Sequence, residues 1–144
     1  MSFQISLDIN RPSDTVFAFI ADFRTMPRWY EAVTQVTALT PAFSGNGARF
    51  RTVRSLPGGP AHNEVEVTTH IPGEQVTFAS TSGPTPFRYH YRVEPTAAGT
   101  RLTLEAQISG TGLPHPLSGI AEHLFKQGMK KNLHTLRRIL ESTP

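Results

Sequence analysis

Hydrophobic and polar positions alternate along most of this chain, and the alternation gives way to helical spacing near each end. Phe3, Ile5, Leu7 and Ile9 alternate with Gln4, Ser6, Asp8 and Asn10, the period of a half-buried strand. Pro12-Ser13-Asp14 interrupts the pattern and supplies helix-start residues, after which Val16, Phe17, Ile20 and Ala21 recur at helical spacing. A second short segment, Thr25-Met26-Pro27-Arg28-Trp29-Tyr30, ends before a strand-like run at Val33. The spacing then predicts strands at roughly 33–40, 47–55, 62–71, 75–82, 86–94 and 101–109, separated by short Pro/Gly-bearing turns. Short connections favour antiparallel neighbours.

The alternation also assigns faces. One face takes Phe50 and Thr52; Asn63, Val65 and Val67; Val76, Phe78 and Ser80; Phe87, Tyr89, Tyr91 and Val93; and Leu102, Leu104, Ala106 and Ile108. The other takes charged and polar residues, His70 and His90 among them, and reads as a solvated surface. A sheet with one wet face needs a cover for the other. The segment 116–142 is long enough to supply it: Ala121, Phe125, Gly128, Met129, Leu133, Leu136, Ile139 and Leu140 fall on one arc, and Lys126, Lys130, Lys131, Arg137 and Arg138 on the opposite one. Asn132 falls inside the apolar arc. A buried amide needs a partner, so the expectation is a bond to Tyr89, Tyr91 or an ordered water, or to a polar atom of a ligand.

A strand, two short helices with a Trp on the second, an antiparallel meander and one long C-terminal helix resemble the START-like (SRPBCC) superfamily. Within it, the chain is similar to bacterial polyketide cyclase/dehydrase-like proteins. The residues that carry the resemblance are Phe3 to Asn10, Val16-Phe17-Ala18-Phe19-Ile20-Ala21-Asp22, Met26-Pro27-Arg28-Trp29, the turn from Gly45 into the strand at Phe50, and Leu136 to Glu141. The resemblance implies an α+β helix-grip fold over a single domain, 1–144, in which a curved antiparallel sheet grips the long helix. It also implies a cavity between that helix and the sheet for a small hydrophobic or aromatic molecule of lipid, polyketide or isoprenoid type. Trp29, Phe50, Phe78, Phe87, Tyr89, Tyr91, Phe125, Met129 and Asn132 are its candidate walls. A polyketide cyclase/aromatase-type enzyme using the same cavity is the alternative, with a Tyr or His moving a proton beside an Arg; Tyr89, Tyr91, Arg54 and His115 are its candidate site residues. A protein- or ribosome-interacting relative of coenzyme-Q-binding proteins is the third reading.

Composition narrows the chemistry. The absence of cysteine removes disulfides, thiolate nucleophiles and Cys-based zinc sites. The six histidines form neither a His-x-His nor a His-x-x-x-His pair, so no metal is expected. No nucleophile elbow, phosphate loop or dinucleotide fingerprint occurs, and no cofactor is expected. A net charge of +3 is too small an excess to point to nucleic acid. No apolar run approaches transmembrane length, and the N-terminus reads as a strand where a leader would be basic and apolar, so the expected location is cytoplasmic. The expected assembly is a monomer or homodimer.

Overall fold

A computed structural model describes residues 1–56, 58–109 and 115–142; the side chains at 56 and 115–118 lie outside the described set. The alternating segments form seven strands: β1 (Ser2–Ile9), β2 (Val33–Ala38), β3 (Arg49–Leu56), β4 (Gly59–Ile71), β5 (Gln75–Ser82), β6 (Phe87–Pro95) and β7 (Thr100–Ile108). They make one antiparallel sheet in the order β1-β7-β6-β5-β4-β3-β2. Every neighbour from β2 to β7 is consecutive in the chain. The exception is β1, which crosses to the far edge and pairs with β7 from Ser2↔Gln107 to Ile9↔Thr100. The sheet is curved, with helices α1 (Ser13–Ala21), α2 (Met26–Trp29) and α3 (His115–Ser142), as the helix-grip expectation requires.

Between α1 and α2 the chain makes a single 3-10 turn, Phe23–Thr25. Asp22 holds it by accepting the Arg24 N–H at 3.1 Å. The Thr25 hydroxyl donates to the Asp22 and Phe19 carbonyls and accepts Trp29 Nε1–H at 3.2 Å. Phe23 is thereby driven into the concave face, with ring centroids 5.2 Å from Phe50 and 4.8 Å from Phe78. Trp29 meets Tyr91 edge-on at 6.3 Å. From α3, Leu133, Leu136 and Leu140 close the same core.

Three expectations about the faces and their cover need correction. His70 was expected on the wet face. The register of β4 against β5 shifts between Val67 and Thr69, and beyond the shift His70 pairs with Val76, an inner residue. An extra residue on one strand exchanges its faces, so His70 lies half-buried with its ring 5.5 Å from Phe17. His90 stays on the outer face but is not freely solvated: Nδ1 lies 2.6 Å from the hydroxyl of Thr77, itself fully buried. Finally, α3 does not cover the sheet along its whole length. From Met129 onward its inner side is buried, at Met129, Asn132, Leu133, Leu136 and Leu140, whereas Ile120, Leu124 and Phe125 are exposed by 59%, 64% and 40%. The first half stands off the sheet and leaves a cleft.

Candidate functional site

The cleft holds about 550 Å³ and is lined by Tyr30, Ala32, Arg54, Ile120, Ala121, Leu124, Phe125, Gly128, Met129 and Asn132. Its apolar wall is the first half of α3. The opposite wall comes from the link between α2 and β2 and from β3. Gly128 faces open space, since a Cβ built there meets no heavy atom within 4 Å. The size and the apolar lining suit a small organic molecule.

Three polar groups interrupt that lining. Arg54 is 7% exposed; its Nε donates to Asn63 Oδ1 at 3.0 Å and its Nη2 to the Pro84 carbonyl at 2.8 Å. The guanidinium carbon lies 5.5 Å from the Phe87 ring centre. The turn that presents Pro84 depends on Gly83. That residue has φ of 100°, and any Cβ there would collide with the His62 carbonyl and Asn63. Asn63 also donates from Nδ2 to the Pro84 carbonyl at 2.9 Å, so the turn, β4 and Arg54 form one linked unit.

Asn132 is buried, as its place on the apolar arc predicts, but its partner is neither tyrosine. Its Oδ1 accepts the backbone N–H of Glu31 at 3.2 Å, which ties α3 to the link after α2. No described residue accepts from its Nδ2.

The third polar group is Tyr30, whose hydroxyl shares a 3.0 Å hydrogen bond with that of Tyr89. Burial raises the Tyr30 phenol, while the Tyr89 bond and the Arg54 charge pull it back. Tyr89 and Tyr91 are held well above the usual phenol value, chiefly by burial. All three phenols therefore keep their protons near neutral pH.

Of the residues singled out from sequence, Arg54, Phe125, Met129 and Asn132 meet at the cleft. Trp29, Phe50, Phe78, Phe87, Tyr89 and Tyr91 belong to the packed core behind it, where Phe23 fills the space between Phe50 and Phe78. The side chain of His115 lies outside the described residues. Tyr30, Ile120 and Leu124 also line the cleft, and the sequence pattern does not single them out. Their available signal was negative: Ile120 and Leu124 are apolar positions on α3 that lie off the arc running through Leu133 and Leu136. Among the described residues no group of three or more His, Asp or Glu side chains converges as metal ligands, and no helix is long and apolar enough to cross a membrane.

Comparison with known proteins follows this architecture. A START superfamily protein from Mycobacterium smegmatis superimposes with a TM-score of 0.79 at 13% identity, covering 96% of this chain and 98% of that one. The Zhui aromatase/cyclase from Streptomyces sp. R1128 gives a TM-score of 0.79 at 12% identity, covering 98% and 93%. The di-domain aromatase/cyclase StfQ of the steffimycin biosynthetic pathway gives 0.78 at 15% identity, with 97% of this chain matched to 50% of that one. At such identities the likeness establishes the fold. No curated protein matches the sequence. The profile of one family, described as polyketide cyclase / dehydrase and lipid transport, matches residues 1–141, and the chain belongs to that family.

Proposed function

We propose that this protein binds a small hydrophobic or aromatic molecule in the cleft between the first half of α3 and the Tyr30–Arg54 wall. The observation that carries the reading is an apolar cleft of about 550 Å³ whose lining is interrupted by only a few polar groups. Such a surface is costly to leave wet and gains by taking an apolar guest, while a few fixed polar groups set the guest's orientation. The exposed Ile120 and Leu124 form the apolar rim that a guest would cover. The core aromatics Phe87 and Tyr89, stacked at 4.7 Å, act from behind by holding Arg54 and Tyr30 in place.

Native mass spectrometry of the purified protein, together with titration by the uncharged fluorophore Nile red, tests this. The expected result is one saturable site that Gly128→Phe removes, because the ring would occupy the open space beside Gly128. Equal Nile red binding by wild type and Gly128→Phe would overturn the cleft as the site.

A second reading, cyclase-type chemistry, draws on the Tyr30 hydroxyl at the cleft wall and the Arg54 charge nearby. A phenol held protonated can donate to a developing oxyanion, and an arginine can stabilise it. The test is the product distribution from a short poly-β-keto thioester. A distribution the protein shifts and Tyr30→Phe restores supports this reading; one identical with and without protein excludes it.

A further inference from the structure

Arg54 is a buried cation held only by neutral acceptors. Its two bonds go to an amide oxygen and a backbone carbonyl. No described carboxylate forms an ion pair with it. Glu31, on the same side of the cleft, pairs instead with Lys131 at 3.5 Å on the exposed surface. Buried charges are ordinarily paired, and a guanidinium cannot shed its proton to escape the cost.

The unused donors have a definite place. A guanidinium carries five N–H donors, and the two bonds to Asn63 and Pro84 use one on Nε and one on Nη2. The rest lie on Nη1 and Nη2. That terminal edge of the fork takes both oxygens of a carboxylate at once. Phe87 and the Asn63–Pro84 unit fix the plane of the group beforehand.

We propose that the guest of this cleft is an apolar molecule bearing a single carboxylate, seated on the Nη1–Nη2 edge of Arg54 with its tail along Ile120, Leu124, Phe125 and Met129. The proposal rests on the binding reading of the cleft given above. A monoanion matches one arginine in an apolar lining, whereas a dianionic phosphate would leave a charge uncompensated in the same surroundings.

The test is calorimetric titration near neutral pH, where a carboxylic acid is ionised, with two matched pairs: naphthoate against naphthalenemethanol, and octanoate against octanol. In wild type the acid of at least one pair should bind about tenfold or more tightly than its alcohol, the effect of one charge-assisted bidentate contact. The pair that shows the preference tells whether the tail is aromatic or aliphatic. Arg54→Met should lower the affinity for that acid to the level of the alcohol. Because this variant also orphans Asn63 and Pro84, the wild-type comparison decides alone if Arg54→Met does not fold. Alcohols binding as tightly as acids in both pairs would overturn the carboxylate proposal and leave the cleft a binding site. Acid binding that survives Gly128→Phe would place the anion elsewhere and overturn it. No binding by any of the four would overturn both readings.

Discussion

The hydroxyls of Tyr30 and Tyr89 bond each other at 3.0 Å, while Tyr91, one step along the same strand face as Tyr89, buries its hydroxyl with no partner among the described residues. Two neighbouring tyrosines on β6 therefore have opposite energetic signs. Tyr91→Phe should leave stability unchanged or raise it, by up to about 1–3 kcal/mol, because it deletes an unsatisfied buried group. Tyr89→Phe should lower stability by about 0.5–1.5 kcal/mol, because the Tyr30 hydroxyl loses its partner. Urea denaturation of both variants measures the contrast, and equal losses would contradict it.

The second half of α3 should be far less tolerant of change than its polar side. Leu136 has no exposure in the core, and Leu136→Ala should cost about 2–5 kcal/mol. Lys130 lies on the partly exposed side, and Lys130→Ala should stay within about 0.5 kcal/mol. Equal small effects in thermal unfolding would mean that the helix does not clamp the core.

Gly83 positions the site at a distance from it. A Cβ at this residue would meet the His62 carbonyl and Asn63 in a backbone conformation that already disfavours side chains. Gly83→Ala should cost about 1–3 kcal/mol. It should also weaken ligand binding, since the displaced turn carries the Pro84 carbonyl that holds Arg54. A variant with wild-type unfolding and binding would show that the turn does not support the site.

His90 gives stability a pH dependence. Burial lowers its pKa, the Arg88 and Arg92 charges add to that, and Glu105 opposes it. Between the folded and unfolded values the unfolded chain binds more protons, so stability rises with pH there. The contribution is full above the unfolded value of about 6.5 and is lost as pH falls through the folded one. His90→Gln should flatten the urea midpoint across this window. An unchanged slope would assign the dependence to another group.

The two stripes of α3 show how far the sequence could be read. Leu133, Leu136 and Leu140 form the stripe that packs the core, and their spacing alone identifies it. Ile120 and Leu124 lie on a second apolar stripe, rotated around the helix, that faces the cleft together with Phe125 and Gly128. Periodicity shows that a face is apolar, not whether protein or open space lies opposite. Phe125 and Met129 were thus legible as inner residues, while the standing-off of the helix was not. The same limit applies to Phe50 and Phe78. Their inward direction follows from alternation, but Phe23, delivered by the turn after Asp22, decides that they meet another side chain. His70 shows a second limit, because a single bulge in β4 reverses a face assignment that strict alternation makes confidently. Asn132 was recognisable as a buried amide in need of a bond, yet its partner, a backbone N–H on another element, carries no side-chain signature.

The pairing of β1 with β7 has a consequence for how the molecule comes into being. During synthesis the five hairpin neighbours from β2 to β7 can each zip onto a strand just completed, at little loop-closure cost. Made first, β1 has no partner until residues 100–107 have emerged, so it and α1 wait with their apolar sides uncovered. α3, with the core stripe that caps the barrel-like curve, arrives later still. The strand made earliest is thus sealed among the last, and the nascent chain passes through an interval in which one open sheet edge and one unattached strand coexist. That interval is when a chaperone would find most to hold, and when two growing chains could exchange β1.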